Sequence, residues 1–190
     1  MRRNNREVPG LLAGRANTPR HLASESFVKL SLLLLTCLVS LPAFAEEKPK
    51  DTAVARQQIT AVVDDFREAI IQKDRKKFLG LFLREDATWQ SVDGEEFLKR
   101  RLQKNPKATR LKLDARQNPT TFIDEIVADA ERSEEKFTNV RIDTDGTIAS
   151  VSFEFTFHLG ERVINRGQES WHLVNTGAGW KIASVIWSNN

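Results

Sequence analysis

Glu169 and Trp171 stand two residues apart in Gly167-Gln168-Glu169-Ser170-Trp171, the spacing that puts two side chains on one face of a β-strand. A carboxylate held on an apolar face resists ionisation and can act as a general base or bind a ligand's polar group. The plainer role is an ion pair with Arg162 or Arg166, or capping of strand-end amides. Asp65, in a helical segment, is the other candidate acid/base group. His158 and His172, the histidines beyond residue 45, alternate out of phase with Phe157 and Trp171. They therefore belong on the solvent side of their strands, as exposed or dimer-contact residues. Neither sits in a His-x-His pair or a His-Glu-x-x-His helix, and no metal is expected. Arg84, Asp86 and Asp93 hold the residue types of an Asp-Arg-Asp site, but their clustering reads as a solvated turn. There is no glycine-rich phosphate loop, no Gly-x-Ser-x-Gly elbow and no expected cofactor. No residue is assigned as catalytic; Glu169 and Asp65 remain candidates.

These groups need elements to position them. From Asp51 to about Gln72, Ile59, Val62, Val63, Phe66, Ile70 and Ile71 recur at helical spacing. Asp74 is a plausible N-cap for a short helix carrying Phe78, Leu79, Leu81 and Phe82. Ala87–Val92 reads as a strand with Trp89, Asp93-Gly94 as a turn, and Glu95–Gln103 as a third helix. Lys107–Pro119 reads equally as an edge strand or a loop. Thr120–Ala130 gives a helical turn or two, with Phe122, Ile123, Ile126 and Val127 inward. Strands follow at Phe137–Asp143, Thr147–Leu159, Val163–Asn175 and Trp180–Trp187. The second of these alternates strictly through Ala149, Val151, Phe153, Phe155 and Phe157. Helices first and antiparallel strands last define an α+β fold, a curved antiparallel sheet with helices on its concave face.

The front of the chain is of another kind. Lys29, the apolar run Leu30–Leu41 and Pro42-Ala43-Phe44-Ala45 have the form of a secretory signal cut after Ala45. That run is shorter than the ~20 residues needed to span a bilayer, so no stable anchor is expected after cleavage. The long front ahead of it suggests Val28 as the true start. Residues 46–50 read as a flexible tail and 51–190 as one domain. Residues 1–45 hold six of the 29 basic and two of the 26 acidic residues, leaving 23 basic against 24 acidic. The basic pI belongs to the leader, so no nucleic-acid partner follows from it. Cys37 also leaves with the leader, which fits a bacterial periplasm or the extracellular space.

Asp86-Ala87-Thr88-Trp89 through Asp93-Gly94, Gly167-Gln168-Glu169-Ser170-Trp171 and Gly179-Trp180-Lys181-Ile182, in this order, resemble the nuclear transport factor 2-like superfamily. The resemblance, over about Asp51–Ser188, implies a SnoaL-like, cystatin-like cone with a pocket between sheet and helices. The pocket it implies is lined by Phe66, Phe82, Trp89, Phe122, Phe153, Phe155, Phe157, Glu169 and Trp171. Ketosteroid isomerase and scytalone dehydratase, of this superfamily, depend on tyrosines, and this chain has none. The leading expectation is a small-molecule or peptide binding module taking a small apolar ligand. Alternatives are an isomerase- or lyase-type enzyme using Glu169 or Asp65, and a structural envelope protein with a filled cone. A homodimer through the convex sheet face would draw on Val174, Val185 and Trp187.

The leader reading predicts that protein recovered from its native compartment begins at Glu46, which intact-mass analysis checks. A mature chain retaining Leu30–Leu41 would contradict it.

Overall fold

The computed structural model describes residues 52–111 and 113–190. The proposed leader, the tail and Asp51 lie outside the described residues. Helix α1 (Thr52–Gln72) buries the stripe Ala55, Ile59, Val62, Val63, Phe66, Ala69 and Ile70. Helix α2 (Arg75–Gly80) starts where the Asp74 carboxylate accepts the Lys77 amide at 2.9 Å. Strand β1 (Thr88–Asp93) leads into α3 (Glu95–Lys104), and α4 (Pro119–Ala128) begins with Asn118 capping the Thr121 amide and Pro119 in the first turn. Four long strands complete the chain: β2 (Ser133–Thr144), β3 (Ile148–Leu159), β4 (Arg162–Asn175) and β5 (Trp180–Asn189).

The sheet runs β1-β5-β4-β3-β2. It is mixed rather than wholly antiparallel, because β1 pairs with β5 in parallel while the other pairs are antiparallel. The helices intervening between β1 and β2 let β1 return along that edge. Asp93-Gly94 is the junction between β1 and α3, as the strand, turn and helix read from the sequence require. The Gly94 amide donates to the Asn189 carbonyl at 2.7 Å, and a Cβ on Gly94 would lie 2.8 Å from that same oxygen. Lys107–Pro119 is mostly loop, with one isolated bridge between Leu111 and Val92. On α4, Ile123 and Ile126 are buried, but Val127 is exposed, contrary to the sequence expectation.

Bulges set which residues face the helices. Between His172 and Leu173 of β4, their β5 partners step from Ser184 to Ile182, leaving Ala183 as the extra residue. This single step carries the inward face of β5 from Trp180 and Ile182 to Val185, Trp187 and Asn189. Val185 is fully buried and Trp187 packs against the core. The apolar convex patch expected from Val174, Val185 and Trp187 is therefore not formed. The convex face instead carries Ser150, Ser152, Glu154, Gln168, Ser170 and His172, with Ile186 exposed among them.

At the core, the Phe66 ring lies 4.8 Å from Phe78 and 4.7 Å from Trp171. Phe137, Phe153 and Trp171 close against one another, Phe153 and Trp171 edge-on at 5.1 Å. Gly167, beside Glu169 on β4, is required by close approach: a Cβ there would sit 2.0 Å from the Ser188 carbonyl oxygen. Gly167→Ala should cost about 2 kcal/mol or more of stability by forcing β4 and β5 apart. Urea denaturation checks this, and an unchanged midpoint would contradict it.

Candidate functional site

The aromatic residues named from the sequence divide into two groups. Phe66, Phe82, Phe153, Phe155 and Trp171 are buried and fill the narrow half of the cone. Phe82 is fixed there by its bridge to Ile182. Trp89, Phe122 and Phe157 lie at the wide half and are partly buried. Trp89 sits 5.0 Å from Phe122 and 5.2 Å from Trp187, and Phe122 sits 5.9 Å from Phe157.

Trp89, Phe122 and Trp187 form the apolar wall of a cavity of about 350 Å³. Asp114, Arg116, Gln117, Asn118, Thr121 and Glu125 supply the opposite, polar wall. That wall comes from the loop before α4 and from the first turns of α4. Gln117 Oε1 is a buried side-chain acceptor without a hydrogen-bond partner. Leaving such an atom unpaired costs about 1–3 kcal/mol. The volume falls within the roughly 300–1,000 Å³ of small-molecule sites.

Trp187 is held from behind by a polar chain. Its indole N–H donates to Asn189 Oδ1 at 3.1 Å, and Asn165 Nδ2 donates to the same oxygen at 2.9 Å. Asn189 Nδ2 donates to Asp93 Oδ1 at 2.9 Å, and the other Asp93 oxygen receives Arg101 from α3. Asp93 is thus a buried, fully engaged carboxylate rather than part of a solvated turn. Arg84 and Asp86 form a separate, well exposed ion pair. The Asp-Arg-Asp set is not assembled.

Glu169 faces inward as its phase with Trp171 requires, and is 4 % exposed. Its Oε1 accepts the Trp171 indole N–H at 2.5 Å, and Trp187 is its partner across β5. Neither Arg162 nor Arg166 pairs with it; Arg162 binds Glu131 at 3.0 Å. Glu135 on β2 is equally buried, at 4 % exposure, and was not singled out from the sequence. Ser133, Glu135 and Phe137 share one phase, so the signal was present in a strand that begins four residues earlier than expected. Burial raises the Glu169 pKa to about 8, against the smaller lowering effect of the Trp171 indole. Burial, reinforced by the charge of Glu169, holds the Glu135 carboxyl well above the usual carboxylate range.

Asp65 does not reach this interior. It is half exposed on α1 and paired with Lys77 at 2.9 Å. His158 and His172 lie within hydrogen-bonding distance of Thr156 and Ser184, each at 2.9 Å, and stay away from the cavity.

No family model matches the chain, and no curated protein matches it. Solved structures do. A cystatin-like fold, nuclear transport factor 2-like protein from Novosphingobium aromaticivorans aligns over 73 % of this chain and 83 % of its own at TM-score 0.51 and 11 % identity. A candidate scytalone dehydratase from the same organism aligns over 73 % and 86 %, at TM-score 0.52 and 14 % identity. A Mycobacterium tuberculosis protein of unknown function aligns over 73 % of each chain at TM-score 0.51 and 16 % identity. The chain has the nuclear transport factor 2-like, cystatin-like α+β fold. At these identities the likeness extends to the fold and not to an activity.

The two carboxyls make stability fall with rising pH. Both are protonated in the native state at pH values where the unfolded chain, with an ordinary Glu pKa near about 4.3, has lost its protons. Stability is therefore full in mild acid and declines by up to about 1.4 kcal/mol per pH unit per group until the native carboxyl ionises, near about 8 for Glu169. Glu169→Gln should flatten this decline, and a Glu135→Gln/Glu169→Gln double variant should remove most of it. Urea titrations at pH 5 to 8 check this; a variant with the wild-type slope would refute it.

Proposed function

We propose that this protein is an exported binding module for a small, largely apolar molecule that carries one hydrogen-bond donor. The observation carrying this reading is an aromatic cavity whose polar wall includes Gln117, a residue whose buried side-chain oxygen lacks a hydrogen-bond partner. Trp89, Phe122 and Trp187 supply stacking surface, and a ligand O–H or N–H would satisfy the orphaned acceptor once the Gln117 amide turns towards the cavity. The Asn189–Asp93–Arg101 chain fixes Trp187 in advance, which lowers the ordering cost of binding. Export rests on the leader sequence.

A second reading, an acid/base enzyme of isomerase or lyase type, is favoured by one observation: Glu169 keeps a proton near neutrality. Glu169 lies behind Trp187 rather than on the cavity wall, so binding takes precedence.

A naphthol has a ring for the tryptophans and an O–H for Gln117, whereas its methyl ether lacks the donor. The naphthol should quench tryptophan fluorescence saturably and bind about tenfold tighter than the ether. Phe122→Ala should weaken both ligands, and Gln117→Leu should erase the difference between them. Glu169→Gln should leave naphthol binding unchanged. Equal affinity for naphthol and ether, or no saturable quenching, would refute the binding reading as stated.

A further inference from the structure

We propose that the segment Lys99–Arg116 is a docking surface for a bilayer containing anionic phospholipid. It begins in α3 and runs through the following loop to the edge of β1. Its 18 residues hold eight Lys or Arg and one acidic residue, Asp114. The rest of the chain beyond residue 45 holds 15 basic and 23 acidic residues. Near-neutral net charge therefore hides one strongly basic segment, and such a segment is drawn to negative surfaces.

Part of this charge is committed internally. Arg101 binds Asp93, Arg110 binds Glu95 and Arg116 binds Asp114. Lys99, Arg100, Lys104 and Lys107 have no carboxylate partner among the described residues; Arg100 lies over the Phe97 ring at 5.2 Å. None of the residues of α3 is fully buried. Between these cations stand Leu102, Leu111 and Leu113, all exposed, Leu113 by 82 %. Cations alone would suit any polyanion; cations with exposed leucines favour lipid, where the apolar side chains enter the headgroup boundary. Among the described residues no helix is long and apolar enough to cross a membrane, so contact would be at the surface. Asp114 and Arg116 also line the aromatic cavity, so the docking segment and the cavity mouth adjoin.

The test is co-sedimentation of protein beginning at Glu46, which excludes the basic residues ahead of it, with two kinds of vesicle. These are phosphatidylcholine alone and phosphatidylcholine mixed with phosphatidylglycerol. Binding to the mixed vesicles only, weakened by salt, is expected. Lys99→Glu/Lys104→Glu/Lys107→Glu should weaken it by about tenfold or more, and Leu113→Asn should weaken it while leaving any binding to duplex DNA unchanged. Circular dichroism verifies that both variants fold. No sedimentation with mixed vesicles would overturn the proposal, as would binding indifferent to the charge reversals. Leu113→Asn binding the vesicles as wild type would identify a general polyanion surface and overturn it equally. Naphthol binding is read separately, so failure here leaves the cavity assignment standing on its own test.

Discussion

One extra residue in β5 decides the character of the open end of this molecule. Without Ala183 out of register, simple alternation from Trp180 would turn Trp187 and Asn189 towards the convex side. With it, Val185 completes the core, Trp187 joins Trp89 at the cavity, and Asn189 reaches Asp93. The bulge leaves one residue unpaired in the ladder, a local loss. The gain is a buried Val185 and a polar chain in which Asn189, Asn165, Trp187, Asp93 and Arg101 satisfy one another. That chain ties β1, α3 and β4 to the last residues of β5. A change at the end of the chain is therefore felt at the cavity wall.

The narrow half of the cone follows a different constraint. Phe66 sends one ring into contact with rings from α2, the following loop, β2 and β4, so α1 cannot move off the sheet without opening that whole cluster. Two carboxyls are nevertheless kept on the inner face at some cost, because an apolar residue at Glu135 or Glu169 would bury more cheaply. Protonation reduces that cost, and the Trp171 indole satisfies one Glu169 oxygen. The arrangement keeps a proton close behind Trp187 at neutral pH.

Much of the fold was legible because its signals were local. The helical stripe from Ile59 to Ile70 and the alternation from Ala149 to Phe157 each come from one uninterrupted period, and both elements formed as read. The misread positions are those where a neighbour far along the chain overrides the local pattern. Asp93 reads as part of a solvated turn, yet Asn189 from β5 and Arg101 from α3 enclose its carboxylate. Trp187 needed the bulge, which no single residue announces. Glu135 was hidden because Ser133-Glu134-Glu135-Lys136 reads as a polar loop until it is paired with Leu159–Thr156 of β3. Asn118 and Gln117 went unnoticed for a related reason. Their importance comes from the α4 cap that brings them over Trp89 and Phe122, not from their own spacing.

The same distinction explains why a shared backbone leaves function open. At 11–16 % identity the cone is reproduced by pattern, since any apolar residues in the right phase fill its narrow half. The mouth is not so tolerant. There an amide oxygen, three aromatic rings and a chain of satisfied polar groups must meet within hydrogen-bond geometry. Glu169 shows how finely the two regimes join: on β4 it belongs to the packed interior beside Trp171, while across the ladder it pairs with Trp187 of the cavity wall. The packed interior and the cavity wall thus meet at one pair of positions across the ladder, and the Ala183 bulge is what puts Trp187 there.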